Sequence, residues 1–147
     1  MYERILVATD GSALSKKAVK GAIGLAAATG AELVALHVVP RYPMSWFEGA
    51  VGVSPHDIAK TEKAWTDNAQ ALLDGVCAQA KTAGVKAKAA ISHSDLVANA
   101  ILAAAKKHKC DLIVMASHGR KGLQRVLLGS ETQQVLTHGT TPVLVLR

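Results

Sequence analysis

Residues 4–10, which read RILVATD, decide the fold class of this 147-residue chain. A short apolar run ends there in two polar residues, Thr9 and Asp10. Such a run, with no polar residue alternating inside it, is typical of a parallel strand that is buried on both faces. A strand of this kind needs helices on both sides, so the remainder of the chain should supply them.

Four further segments have strand character. Residues 32–39 (ELVALHVV), 111–117 (DLIVMAS) and 141–147 (TPVLVLR) are apolar runs like the first. Residues 85–91 (VKAKAAI) alternate between polar and apolar, which predicts a half-exposed strand near the sheet edge.

The segments between these strands carry helix signals. Apolar residues recur at helical spacing after Ser12, and Gly30 is expected to end that helix in the left-handed C-terminal position. Ser54 and Pro55 predict an N-cap followed by proline at the first helical position, and Gly84 should end this second helix. The apolar face of the second helix is predicted to contain Ile58, Trp65, Ala69, Leu72, Val76 and Ala80.

Two shorter helices complete the pattern. Ser94 or Asp95 is predicted to cap the third helix, while Ser130 should cap a fourth that ends at Gly139. Five strands alternating with four helices predict one α/β domain over residues 1–147, a five-stranded doubly wound parallel sheet with helices on both faces. Ligands of such sheets bind outside the carboxyl ends of the strands, where the strand order reverses.

Composition and charge exclude several classes of function. The chain has 17 basic and 11 acidic residues, a formal charge of +6, but the lysines are scattered pairs without interleaved aromatic residues. We therefore expect no nucleic-acid partner. No apolar segment approaches the roughly 20 residues that span a bilayer, so we expect a cytoplasmic protein without a membrane segment. Cys77 and Cys110 are expected to be reduced thiols, and the six histidines show no metal-ligand spacing.

Residues 114–132 (VMASHGRKGLQRVLLGSET) combine the features of a polyphosphate site. Gly119 and Gly122 allow the backbone to approach a ligand closely, and Gly129 with Ser130 begins a helix whose free N–H groups favour anions. An alternative is a solvent-exposed turn with ordinary caps. Positive charge is added by Arg120, Lys121 and Arg125.

Asp10, at the end of the first strand, has two interpretations. It could cap the turn formed with Gly11 and Ser12, or it could hold a ribose hydroxyl or a metal-bound phosphate at the reversal point of the sheet.

The more specific nucleotide-binding and catalytic motifs are absent from the sequence. There is no P-loop and no G-x-G-x-x-G after the first strand. MASHG (residues 115–119) differs from the serine-hydrolase elbow at Met115, and Glu131 is the only acid after Ser117, which disfavours a hydrolase with Ser117 as nucleophile and His138 as base.

The chain resembles the universal stress protein family, in its nucleotide-binding branch. The matching pieces are ILVATDGS, LHVV, DLIVMASHGRKGLQRVLLGSETQQVL and TPVLVLR, and together they extend over the whole chain. The resemblance implies a Rossmann-like, adenine nucleotide alpha-hydrolase-like fold and an ATP-binding role in stress response. It also implies a homodimer formed through the last strand.

The resemblance assigns roles within a nucleotide site. It implies that Asp10 meets the ribose, that Val38 contacts adenine through its backbone, and that residues 119–122 and 130–132 hold the phosphates with any Mg²⁺. No catalytic residue is expected. The implied nucleotide-binding residues are Ala8, Thr9, Asp10, Val38, Met115, Ala116, Ser117, His118, Gly119, Arg120, Lys121, Gly122, Gly129, Ser130, Glu131 and Thr132.

Ala116 departs from the family pattern G-x2-G-x9-G-[S/T], where it replaces the first glycine. If that position needs a positive φ, alanine costs about 1 kcal/mol. If the glycine only allows a ligand to approach closely, the methyl group is tolerated or crowds the site.

Three functions follow from these patterns. The leading one is an ATP-binding regulatory module without vigorous enzymatic activity. The second is a slow ATPase or adenylate-handling enzyme, in which Asp10 helps to hold Mg²⁺ and His118 or Arg120 stabilises the departing phosphate. The third is a nucleotide-free interaction protein that acts through its dimer surface and the aromatic loop at residues 40–54.

Overall fold

The computed structural model describes residues 1–42, 54–119 and 128–147. Arg120, Lys121, Gly122 and Arg125, and most of the aromatic loop, lie outside the described residues. The described strands and helices are β1 Arg4–Ala8, α1 Ala13–Thr29, β2 Glu32–Val39, α2 Pro55–Thr82, β3 Ala87–His93, α3 Val97–Lys107, β4 Leu112–Ala116, α4 Ser130–His138 and β5 Val143–Leu146.

The sheet has the order β3-β2-β1-β4-β5, and all its pairs are parallel. The chain builds outward from β1 to β3 and then returns to the other side of β1 for β4 and β5. This confirms the predicted doubly wound sheet and puts the reversal of strand order between β1 and β4. The alternating strand, β3, is an edge strand as predicted.

Apolar side chains cover both faces of the sheet. Ile5, Val7 and Leu33 pack on the face that α1 and α2 cover, whereas Leu6 and Ile113 pack on the face of α3 and α4. Ile5, Leu6 and Val7 are completely buried, because β1 is the central strand and has a helix layer on each side. This is the reason for the continuous apolar run at the start of the sequence.

α1 begins and ends as predicted, and α2 begins as predicted, but α2 ends at Thr82 with Ala83, and not Gly84, as its C-cap residue. Ser12 Oγ accepts a hydrogen bond from Ser15 N (3.2 Å), and Gly30 ends α1 with φ of 74°. Ser54 Oγ accepts from Asp57 N (3.1 Å), and Pro55 is the first residue of α2. These caps satisfy backbone groups that the helix itself leaves without partners.

The predicted cap of α3 was wrong. Leu96 is the N-cap residue, and its side chain makes no capping hydrogen bond. Ser94 Oγ instead accepts from Leu96 N (3.0 Å) in the preceding turn, and Asp95 Oδ1 accepts from Arg41 N (3.0 Å). Both polar side chains therefore stabilise the loop between β3 and α3, and neither caps the helix.

Two further local predictions need correction. Gly129 is the N-cap of α4, and Ser130 is its first helical residue, with Ser130 Oγ donating to Glu131 Oε2 (2.9 Å). In α2 the buried leucine is Leu73 and not Leu72. Leu73 lies four residues after Ala69, so the 3.6-residue repeat puts both on the face that packs against the sheet.

Candidate functional site

A cavity of about 860 Å³ opens at the carboxyl ends of β1, β2 and β4. This is the edge of the sheet at which the strand order predicts a ligand. The described part of the chain brings twelve of the expected site residues to its wall: Ala8, Thr9, Asp10, Val38, Met115, Ala116, His118, Gly119, Gly129, Ser130, Glu131 and Thr132.

Ser117 does not line the cavity, although it was expected to. Its carbonyl oxygen accepts from Gly129 N (2.7 Å) and from Thr132 Oγ1 (3.2 Å), and its side chain is buried. Its hydroxyl lies 3.3 Å from His118 Nδ1. Ser117 therefore ties the end of β4 to the start of α4, and its burial is consistent with the weak sequence signal for a serine nucleophile.

Asp10 lies both in the turn and on the cavity wall. Its Oδ1 accepts a hydrogen bond from Ser12 N (2.9 Å), which is the local cap that the sequence suggested. The same side chain lines the cavity. The two interpretations of Asp10 are therefore compatible, since the turn holds the carboxylate at the wall.

Gly119 allows that arrangement. A Cβ atom at position 119 would lie 2.8 Å from Asp10 Oδ2, a separation that real Cβ atoms essentially never show. The φ of Gly119 is not positive, so the requirement for glycine comes from space and not from backbone freedom.

One end of the cavity is apolar. Leu36 and Val38 come from β2, Met115 comes from β4, and Val97 and Ile101 come from the first turns of α3. The sequence argument identified only Val38 and Met115. Val97 and Ile101 were not predicted as site residues. They are spaced i, i+4 shortly after the end of β3, and this spacing near a strand end is a sequence signal for two side chains on one helix face beside the site.

The cavity wall also contains the start of α4. Its N-cap residue, Gly129, has no side chain to bond to the first turn, and the positive end of the helix dipole lies beside Ser130, Glu131 and Thr132. Thr132 Oγ1 donates to Ala116 O (3.0 Å), which fixes the helix start against β4.

Gly129 has a φ of −60° and a ψ of 155°, so its backbone is not left-handed. A Cβ there would lie 3.1 Å from His118 Cα and 3.2 Å from Ser117 O. These contacts are tight, so glycine fits the turn before α4 where it packs against the end of β4, and a larger residue would require its neighbours to shift.

Ala116 is the last residue of β4 and pairs with Leu146 of β5. Its φ is not positive. The alanine therefore carries no backbone strain, and its effect on a ligand is confined to the one methyl group on the cavity wall.

Neither Cys77 nor Cys110 lines this cavity. Cys77 and Cys110 are free thiols, as expected, and burial raises the pKa of the Cys110 thiol to about 11. Burial and the nearby Asp74 carboxylate raise the pKa of Cys77. Over residues 1–42, 54–119 and 128–147, no group of three or more His, Cys, Asp or Glu side chains could hold a metal ion. In the same ranges, no helix is both long and apolar enough to cross a membrane.

Comparisons with known proteins agree with this architecture. The family model of the universal stress proteins matches residues 1–147. Universal stress protein YxiE of Bacillus subtilis is 34% identical, with 100% of both chains covered. Universal stress protein UspA of Lactobacillus plantarum superposes with a TM-score of 0.84 at 28% identity, covering 99% of this chain and 98% of that one.

A universal stress protein solved in complex with cAMP is also similar, with a TM-score of 0.72, 28% identity, and coverage of 99% of this chain and 97% of that one. The match of the family model over the whole chain, together with a relative of the same length at 34% identity, establishes the family. This chain belongs to the universal stress protein family.

Proposed function

We propose that this protein binds ATP and acts as a nucleotide-dependent regulatory module in a cytoplasmic stress response. One observation carries the proposal: a single cavity of about 860 Å³ joins an apolar end, a carboxylate and a helix N-terminus. These are the three surfaces that a base, a ribose and a polyphosphate require.

The base would occupy the apolar end. Leu36, Val38 and Met115, with Val97 and Ile101, offer an apolar slot for a flat aromatic ring. Backbone groups at Val38 would supply the polar contacts that distinguish one base from another.

The ribose would meet Asp10. A carboxylate accepts hydrogen bonds from two neighbouring hydroxyl groups, and such charge-assisted bonds are stronger than neutral ones. The bond from Ser12 N and the close approach of Gly119 hold the carboxylate in position before a ligand arrives.

The phosphates would lie at the start of α4. Backbone N–H groups at a helix N-terminus and the helix dipole favour anions. Glu131 lies at the same end of the cavity, and its carboxylate would repel a phosphate. A Mg²⁺ ion held by the phosphates would reduce that repulsion, so the proposed ligand is ATP with magnesium.

The related protein solved with cAMP supports an adenine nucleotide as the ligand class. The proposal that ATP is bound, rather than a nucleotide with one phosphate, depends on the helix N-terminus at the cavity wall.

Mass spectrometry of the small molecules released when freshly purified protein is denatured tests the proposal directly. We expect an adenine nucleotide, and calorimetry with added Mg²⁺ should give tighter binding for ATP than for AMP or GTP. Absence of released nucleotide together with no heat of ATP binding would overturn it. Asp74→Asn, an exposed change on α2 away from the cavity, is the control variant and should bind the same nucleotide as the unmodified protein.

Slow hydrolysis is measurable in the same samples. If purified protein converts ATP to ADP faster than a variant that cannot bind it, the protein is an enzyme and not only a binding module. A nucleotide-free interaction protein would give neither released ligand nor turnover.

A further inference from the structure

Thr9 connects β1 to the turn that holds Asp10, and it is bound through each of its polar groups. Its N–H donates to Leu36 O (3.0 Å), and its hydroxyl lies 3.1 Å from Ser15 Oγ. Its carbonyl oxygen lies 2.7 Å from Nδ1 of His37. The residue is 5% exposed. The last of these contacts comes from a side chain of β2 that the nucleotide roles described above do not use.

The chemistry of the partners settles which nitrogen of His37 carries a proton. A carbonyl oxygen can only accept a hydrogen bond, so Nδ1 must be the donor. Nδ1 carries a proton both in the corresponding neutral tautomer and in the imidazolium ion. The bond between His37 and Thr9 is therefore compatible with both charge states of the ring.

This side-chain hydrogen bond takes the place of a backbone hydrogen bond between β1 and β2. The register of β1 with β2 ends at the pair Ala8 and Leu36, and the Thr9 N–H makes one more bond to β2. In a continuing parallel ladder, the Thr9 carbonyl would accept from a backbone N–H of β2. Here the side chain of His37 supplies the donor instead.

The Thr9 carbonyl and the Asp10 N–H belong to one planar peptide unit. A bond that fixes the carbonyl therefore also fixes the direction in which the chain enters Asp10. A carbonyl without this partner would allow the peptide unit a wider range of orientations, and the Asp10 carboxylate, although still bonded to Ser12 N, would shift with it.

We propose that His37 is a positioning residue for Asp10: through the Thr9 carbonyl, it sets the location of the carboxylate on the cavity wall. The effect on ligand affinity rests on the proposed nucleotide function, whereas the effect on the turn does not. His37 also lines the cavity, but the proposed role acts through Nδ1 and does not require contact between the ring and the ligand.

Two substitutions separate the nitrogens of His37. His37→Asn places an amide N–H near the position of Nδ1 and keeps a donor for Thr9. His37→Gln places its amide near the position of Nε2 and removes that donor. His93→Gln is the matched control, because His93 bonds to Thr66 (3.0 Å) on α2 and does not line the cavity.

The affinity for ATP with Mg²⁺, measured by calorimetry, should fall about three- to tenfold in His37→Gln, the loss expected for one neutral hydrogen bond. His37→Asn should recover most of it. In an Asp10→Ala background, His37→Gln should add little, because the two residues act through one turn. Equal losses in both histidine variants, or a full additional loss without Asp10, would overturn the positioning role.

Hydrogen exchange in the protein without added ligand tests the role independently of nucleotide binding. His37→Gln should speed exchange at the amides of Asp10, Gly11 and Ser12 relative to wild type, while His37→Asn and His93→Gln should not. If wild type fails to bind ATP but these amides respond as expected, the proposed function fails and the positioning role stands. Unchanged exchange in His37→Gln would refute the positioning role.

Discussion

At the scale of single residues, spatial constraints explain the glycines of the site better than backbone angles do. Gly119 leaves room for the Asp10 carboxylate, and Gly129 lets the turn before α4 press against the end of β4. Neither has a positive φ, whereas Gly11, in the turn after β1, does. Sequence patterns suggest that a glycine is needed, but they do not distinguish these two reasons.

Asp10→Ala should lose about tenfold to a hundredfold in ATP affinity, because a charge-assisted contact to a ribose contributes roughly 1.5–3 kcal/mol. Alanine also removes the acceptor for Ser12 N, so Asp10→Asn is needed as a second variant. Asparagine keeps an acceptor oxygen for the turn and removes the charge, and we expect a normal melting temperature with weakened binding. Unchanged calorimetric titrations for both variants would show that Asp10 serves only the turn.

Asp111 should contribute to stability in a pH-dependent way. Burial tends to raise the pKa of its carboxyl, but hydrogen bonds from the backbone N–H groups of Glu3 (2.8 Å) and Arg4 (3.0 Å) outweigh it and lower the pKa below 3.8. A lowered folded-state pKa gives stability that is present above the unfolded value and is lost as the pH falls through the folded value.

Asp111→Ala should therefore cost about 1–3 kcal/mol at pH 7, where the charged acceptor is present. The difference from wild type should shrink as the pH falls below about 4. Urea unfolding at pH 7 and pH 3 checks this, with Asp74→Ala as control for an exposed aspartate. If the free energy of unfolding differs from wild type by the same amount at both pH values, the charge of Asp111 does not contribute to stability.

At the scale of elements, the start of α4 is the feature that makes the cavity suitable for phosphate. It is held by backbone and side-chain bonds to the end of β4, namely Gly129 N to Ser117 O and Thr132 Oγ1 to Ala116 O. A site built from fixed backbone groups should depend little on salt, whereas one built from long cationic side chains should be screened.

Gly129→Val should abolish or strongly weaken ATP binding. Valine tolerates the observed backbone angles, but its Cβ would meet His118 Cα at 3.1 Å and Ser117 O at 3.2 Å, so the helix start must move. Gly75→Val on α2 is the matched control, because a Cβ at Gly75 meets no atom within 4 Å.

Lys121→Ala, in contrast, should cost well under tenfold, and the loss should shrink as salt rises. Calorimetry at low and high salt compares the two variants. Loss of binding in Lys121→Ala with intact binding in Gly129→Val would mean that charge, and not backbone, forms the phosphate site.

At the scale of the whole molecule, the sheet ends at β5, an edge strand whose outer side no described residue pairs. Leu144 on this strand is 39% exposed, and Leu136 on α4 is 43% exposed. An apolar edge of this kind invites pairing with another chain.

We predict a homodimer in which two β5 strands pair across a two-fold axis. Light scattering should give about twice the 15.3 kDa mass of one chain at micromolar concentration. Leu144→Lys should shift the protein toward the monomer, whereas Leu96→Lys should not, although Leu96 is more exposed (63%). A stable monomer for the unmodified chain would refute the prediction.

The sequence alone determined the features that depend on near neighbours in the chain. The buried run at Ile5 to Val7, the cap at Ser54 and the left-handed Gly30 follow from local periodicity and local hydrogen bonds, and the structure confirms each. The alternation of strands and helices then limits the topology, because crossovers between parallel strands are right-handed. The location of the cavity follows from that topology.

Only the tertiary structure decided which distant residues meet. Gly119 is required because Asp10 lies against it, and His37 bonds to Thr9 because their strands end side by side. The packing of strands and helices likewise decides two further features. Ala116 has no positive φ, and Val97 and Ile101 line the cavity. Such contacts join residues far apart in the chain, and periodicity and capping describe a polypeptide only over a few neighbouring residues.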